Sequence, residues 1–143
     1  MRIDAIIQSA GYHDMLDLTL IQNKGHFDSV TVYTRRGDEE TKAVCAREGV
    51  SCIETDGFRA NGSVFNRGKV YNEAFLRLLL GFKAAHQEPG WICIIDSDIV
   101  LPSGFRDTLE VMAQNGSLET ECFYGARRWN VETVEQYTQV RHG

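Results

Sequence analysis

Short apolar runs that alternate with stretches of helical periodicity constrain this chain more than any other feature. Ile3 to Gln8 is apolar and strand-like, and Ser9-Ala10-Gly11 breaks it. His13 to Asn23 carries Met15, Leu16, Leu18, Leu20 and Ile21 and predicts a helix capped near His13 or Asp14. Val30 to Thr34 is β-branched and aromatic, a second strand. Asp38 then opens a helix with Glu39 and Glu40 in its first turn, the favourable sign for the helix dipole, and Gly49 ends it. Val50 to Glu54 predicts a third strand, and Thr55 to Asn66 a polar loop. Gly68 to His86 predicts a long helix burying Val70, Phe75, Leu78, Leu79 and Phe82. After a Pro89-Gly90 turn, Trp91 to Ile95 is a fourth strand. Pro102 to Gln114 is a fourth helix, Cys122 to Tyr124 a candidate fifth strand, and the tail from about 131 is ambiguous. This order predicts an α/β domain, three-layer α/β/α with a mostly parallel sheet.

Bulk properties narrow the class. The 143 residues predict a single domain, 1–143, large enough for a real core. The net charge of −5 with no basic stripe argues against duplex nucleic-acid binding. No apolar run approaches the roughly 20 residues of a membrane span, and Met1-Arg2-Ile3-Asp4 does not read as a signal peptide. Cys45, Cys52, Cys93 and Cys122 form no C-x-x-C pair, so neither structural zinc nor a disulfide framework is expected. A cytoplasmic location is the simplest expectation.

Ligands of parallel α/β sheets bind beyond the carboxyl ends of the strands. The loops expected there are 9–14, 34–38, 55–69 and 96–102. The last begins with Asp96-Ser97-Asp98, directly after Ile92-Cys93-Ile94-Ile95. In extended backbone two such acids emerge on one face. Carboxylates suit Mg²⁺ or Mn²⁺, which commonly hold a ligand's phosphates as well as protein groups. A plain turn after a strand favours the same residues, so position carries the inference.

Arg67 and Lys69 flank Gly68 at the expected start of the third helix. Cations there have the wrong sign for the dipole but make sense beside a bound anion. Tyr12 is a candidate for stacking on a base, Asp14 is a helix cap by preference, and Thr34 and Asp38 are candidates to read a base or ribose. Asp38 is equally credible as an N-cap. Tyr124 to Trp129, with Arg127 and Arg128, reads either as an acceptor-pocket wall or as a surface turn.

These segments together resemble the nucleotide-binding part of GT-A glycosyltransferases, especially small family-2-like members. The resemblance rests on Tyr12-His13-Asp14 with Thr19, Leu20 and Asn23; on Phe27 to Thr34 leading to Asp38-Glu39-Glu40-Thr41; on Phe65-Asn66-Arg67-Gly68-Lys69 with Asn72; and on Ile95 to Pro102. It covers residues 3 to about 128. It implies a metal-dependent enzyme that moves a sugar from a nucleotide-diphosphate donor to an acceptor hydroxyl of unknown identity. It implies that Asp96 lies near the ribose or sugar and shares with Asp98 the binding of Mn²⁺ or Mg²⁺. Tyr12, Thr34, Asp38, Arg67 and Lys69 would join Asp96 around the donor.

Two departures from the family pattern stand out. Thr34-Arg35 occupies the place where many members carry an acid pair, and 45 residues follow Asp98. The general base would lie in that stretch, with Glu132 and Glu135 as weak candidates and His142 as a further metal ligand. The chain therefore reads as a minimal enzyme, a truncated one, or a donor-binding half without its base. A non-catalytic nucleotide-sugar-binding module is the main alternative, and a homo-oligomer is compatible with either. A haloacid-dehalogenase-like phosphatase fits D-x-D less well, because that motif normally opens its domain.

Overall fold

Four parallel strands form one sheet in the computed structural model, in the order β3-β2-β1-β4. The structure describes residues 1–87 and 90–126. The strands are β1 (Ile3–Gln8), β2 (Ser29–Arg35), β3 (Ser51–Thr55) and β4 (Trp91–Asp96). The helices are α1 (His13–Asn23), α2 (Glu39–Glu48), α3 (Arg67–Ala84) and α4 (Phe105–Gln114). The protein is thus α/β with the three-layer arrangement that the alternation predicts.

Handedness explains the layers. The first two crossovers run outward from β1 to β3, and the third returns past β1 to β4. Right-handed connections then put α1 and α2 on one face of the sheet and α3 on the other. All six residues of β1 are buried, as expected of a strand covered on both faces. On the α3 side, Ile6, Tyr33, Phe58, Val70 and Ala74 form a buried cluster. Each large aliphatic side chain fully removed from water contributes about 1.5–3 kcal/mol.

The chain divides into two units, residues 2–100 and Met1 with residues 101–143. The sheet, α1, α2 and α3 belong to the first. Within the second, α4 begins after Gly104, whose carbonyl accepts from the Thr108 hydroxyl at 2.9 Å. Pro102 to Gly104 form the turn before that helix, which starts three residues later than the sequence suggested.

Other boundaries also moved. Cys122 to Tyr124 is not a strand; Phe123 is fully exposed, and the Tyr124 hydroxyl bonds back to Glu119 N and Ser117 O. Leu79 is half exposed, as are Leu76 and Leu80, because the stripe that α3 turns to the sheet runs through Val70, Ala74 and Phe82. The expected 55–66 loop contains a 3-10 segment over Gly57–Gly62, interrupted by non-helical backbone at Ala60 and Asn61. Asp14 does not cap α1; the capping position is Tyr12, and Asp14 lies in the first turn.

Among the described residues no helix is long and apolar enough to cross a membrane. All four cysteines are free thiols. Burial pushes the Cys45 thiol up to about 12 and the Cys93 thiol up to about 11, which leaves both protonated at neutral pH.

Candidate functional site

Gln8 ends β1, and its register partner across the sheet is Asp96, the last residue of β4. The strand order reverses between these two strands, so their carboxyl ends frame the crevice where such sheets bind ligands. The start of α3 enters that crevice. The Gln8 side-chain amide donates from Nε2 to the Arg67 carbonyl at 2.9 Å. The Arg67 guanidinium pairs with the Asp96 carboxylate and also reaches the Tyr71 hydroxyl at 3.2 Å. The Tyr71 hydroxyl and then the Asp96 charge raise the Arg67 pKa, against partial desolvation that lowers it. Arg67 and Asp96, distant in sequence, are therefore neighbours.

Asn66 explains why α3 begins there. Its side-chain oxygen accepts from Lys69 N at 2.9 Å, closing the first turn. Two buried polar atoms at the end of β1 and just past it, Gln8 Oε1 and Ser9 Oγ, have no partner among the described residues. Buried polar groups are normally satisfied, so these two mark places where a ligand or water would bond. Sequence reasoning missed Gln8, because it looks like the polar end of an ordinary strand.

The acid pair departs from the extended geometry expected of it. Only Asp96 is in the strand. Ser97 and Asp98 occupy a turn closed by Ile99 N donating to Asp96 O at 3.2 Å, and Asp98 is exposed. Helix α1 anchors that turn. The Thr19 hydroxyl donates to Ser97 O and the Asn23 amide to Ile99 O, each at 2.7 Å. Thr19 and Asn23 are buried polar residues one turn apart on an otherwise apolar helix face.

Among the described residues no group of three or more His, Cys, Asp or Glu is placed to hold a metal ion. The chemistry of the donor set still fits a hard cation. Mg²⁺ and similar ions often take only one or two carboxylates from protein and the rest of their shell from phosphate and water. Asp96 and Asp98 can supply that share. Glu132, Glu135 and His142 lie outside the described residues, as do Arg127, Arg128 and Trp129.

Thr34 and Asp38 do not join this crevice. Thr34 is wholly buried and Asp38 nearly so. Asp38 Oδ2 accepts from Gly11 N at 2.9 Å and from the Thr34 hydroxyl at 2.7 Å, while Oδ1 accepts from Thr41 N at 3.2 Å. Burial alone would raise its pKa, but those hydrogen bonds together hold it below the usual carboxylate range. Asp38 is the N-cap of α2 and ties the loop after β1 to it, so Asp38 and the Thr34 hydroxyl are buried and bonded within the fold. Tyr12 and Lys69 are exposed, with side chains open to solvent.

A second concavity, of about 210 Å³, lies at the same edge of the sheet. Ala10 follows β1, Arg35 ends β2 and Thr55 ends β3; Phe58, Arg59 and Phe65 complete its wall. Phe58 and Phe65 stack with centroids 5.1 Å apart. Arg36 and Asp56, also in the wall, neutralise each other at 2.7 Å. No acid among the described residues pairs with Arg35 or Arg59.

No protein-family model matches the chain, and no curated protein matches it at a significant level.

Proposed function

We propose that this protein binds a nucleoside diphosphate, carried by a sugar donor, with Mg²⁺ or Mn²⁺, and that it serves glycosyl transfer to an acceptor hydroxyl. One observation carries the reading. The capped start of α3, the guanidinium of Arg67 and the carboxylate of Asp96 meet at the reversal of strand order. A helix start with free N–H groups and a neighbouring arginine suits a phosphate. The two acids of the adjacent turn suit the cation that accompanies a diphosphate.

Asp96 and Asp98 would hold the ion, which when bound supplies Lewis-acid stabilisation of the departing diphosphate. Arg67, released from Asp96 or shared with it, and Lys69 would place fixed positive charge beside the same leaving group. Gln8 would fix the first turn of α3 through its bond to the Arg67 carbonyl. Thr19 and Asn23 would hold the acid-bearing turn in place.

Thermal unfolding with UDP, GDP, ADP and CDP, each with and without Mn²⁺, tests this. Stabilisation that needs nucleotide and metal together is expected, about 2.7 kcal/mol at a hundredfold excess over Kd. Asp98→Asn should remove the metal requirement without lowering the stability of the free protein. No stabilisation by any nucleotide with metal would refute the reading. Donor hydrolysis or sugar transfer then separates an enzyme from a binding module.

A further inference from the structure

We infer that Arg67 latches the cation site: in the free protein its guanidinium holds Asp96, and a diphosphate draws it away, so that the anion opens the place of the metal. This inference rests on the diphosphate reading above and adds how its two ligands are coupled.

The two acids are engaged differently. Asp98 is exposed and, among the described residues, pairs with no cation. Asp96 is paired: Arg67 Nη2 donates to its Oδ1. An oxygen that accepts from a guanidinium has one lone pair fewer for a metal, and the arginine's charge repels a dication brought beside it. One carboxylate is open, and the other is taken by a cation of the chain itself.

The surroundings of Arg67 suit an exchange of partners. Its backbone is fixed, because its carbonyl accepts from Gln8 Nε2 at 2.9 Å and Asn66 caps the turn in which it begins α3. Its side chain is 45% exposed and that of Asp96 is 23% exposed, so incoming ions reach both. Tyr71, four residues on, gives the guanidinium a second partner. Its hydroxyl accepts from Nη2 at 3.2 Å, and the guanidinium carbon lies 5.9 Å from its ring centroid. Leaving Asp96 therefore gives up a partly exposed contact, which is weak.

The competing anion would arrive alongside. Gly68 follows Arg67, and beyond its chain neighbours a Cβ there would meet only Asn66 Oδ1, at 3.8 Å. The first turn of α3 is thus accessible, and backbone N–H groups at such a turn attract phosphate. A diphosphate carries more charge than one carboxylate and takes a guanidinium bidentately. With Arg67 drawn to it, Asp96 turns its charge to the cation that accompanies the diphosphate. The free protein should hold divalent ions weakly and take them up together with a nucleotide.

Electron paramagnetic resonance of Mn²⁺ titrated alone into the native full chain, Arg67→Ala, Asp96→Asn and the double variant tests the latch. Arg67→Ala should bind lone Mn²⁺ roughly fivefold more tightly than the native chain, the size of an exposed pair together with the relieved repulsion. In the Asp96→Asn background the same truncation should give no gain, because the arginine acts through that carboxylate. UDP and GDP, each with Mn²⁺, should bind Arg67→Ala more weakly than the native chain, so one change moves the two ligands in opposite directions. Urea denaturation of all four proteins checks that they fold. Equal lone-Mn²⁺ affinity in the native chain and Arg67→Ala, or binding by neither, would overturn the latch and leave the diphosphate reading to the nucleotide titrations. A gain that persists beside Asp96→Asn would also overturn it, since Arg67 would then act on Asp98 through its field alone. Failure of every nucleotide to bind with Mn²⁺ would sink the diphosphate reading and the latch with it.

Discussion

Asp38 lies just beyond β2 and Asp96 ends β4 at the same edge of one sheet, yet their surroundings differ in kind. Asp38 is buried and accepts from three donors that belong to β2, α2 and the loop after β1. Asp96 is partly exposed, pairs with Arg67 from α3, and adjoins a second carboxylate in an open turn. The first carboxylate has spent its hydrogen-bonding capacity on the fold. The second lies partly exposed beside an arginine at the edge where such sheets bind ligands. A position beyond a strand end is therefore necessary for a site in such a sheet but not sufficient; the partners distinguish a cap from a ligand.

The largest test of this contrast is Asp38→Ala. It removes an N-cap, worth about 1 kcal/mol, releases the part-buried Gly11 amide, and strands the buried Thr34 hydroxyl at about 1–3 kcal/mol. Some relaxation and water entry will recover part of that, so a loss of about 2–4 kcal/mol is expected in urea denaturation. Acidity should reveal the same group. Its folded pKa lies below the unfolded value of about 3.9, so its stabilisation is complete above that value and disappears as pH falls through the lower folded one. The stability gap between the native chain and Asp38→Asn should therefore be constant near neutrality and narrow only below about pH 4. A gap that narrows between pH 6 and 8 would mean a different group is responsible.

Asn23→Ala tests the scaffold on the other side of the comparison. It strands the Ile99 carbonyl in a partly buried position, a loss of about 1–3 kcal/mol. Because that bond anchors the turn carrying Asp98, metal-dependent nucleotide binding should weaken along with stability. An unchanged affinity would show that the turn is held by Thr19 alone.

Arg67→Ala should invert the pattern. Its pair with Asp96 is exposed enough that stability should change by less than about 1 kcal/mol. Nucleoside-diphosphate affinity should fall roughly 10- to 100-fold, as for loss of a charge-assisted contact. A variant destabilised as strongly as Asp38→Ala, with affinity intact, would move Arg67 into the structural class and remove the main support for the site.

How far the sequence reached follows the same division. Strand and helix order was legible because period-2 and period-3.6 patterns respond to burial, which dominates β1, β2 and α2. Asp38 and Gly49 were legible as helix ends because capping is local: Gly49 adopts φ +69° and Val50 N returns to Cys45 O. The proximity of Arg67 to Asp96 depended on the direction of the third crossover, which topology rules favour but residue types do not state. Leu79 misled because α3 is apolar on more than one face. Gln8, the pocket around Arg35, and the anchoring bonds of Thr19 and Asn23 were not legible, since each joins residues brought together only by the finished sheet.

Arg36 and Asp56 supply the smallest effect and the sharpest control. They form a two-bond ion pair at 3.1 and 2.7 Å. Both side chains are about three-quarters exposed, so water and salt compete for the same contacts. Arg36→Ala should leave the denaturation midpoint unchanged within error, in 0.1 M salt or above it.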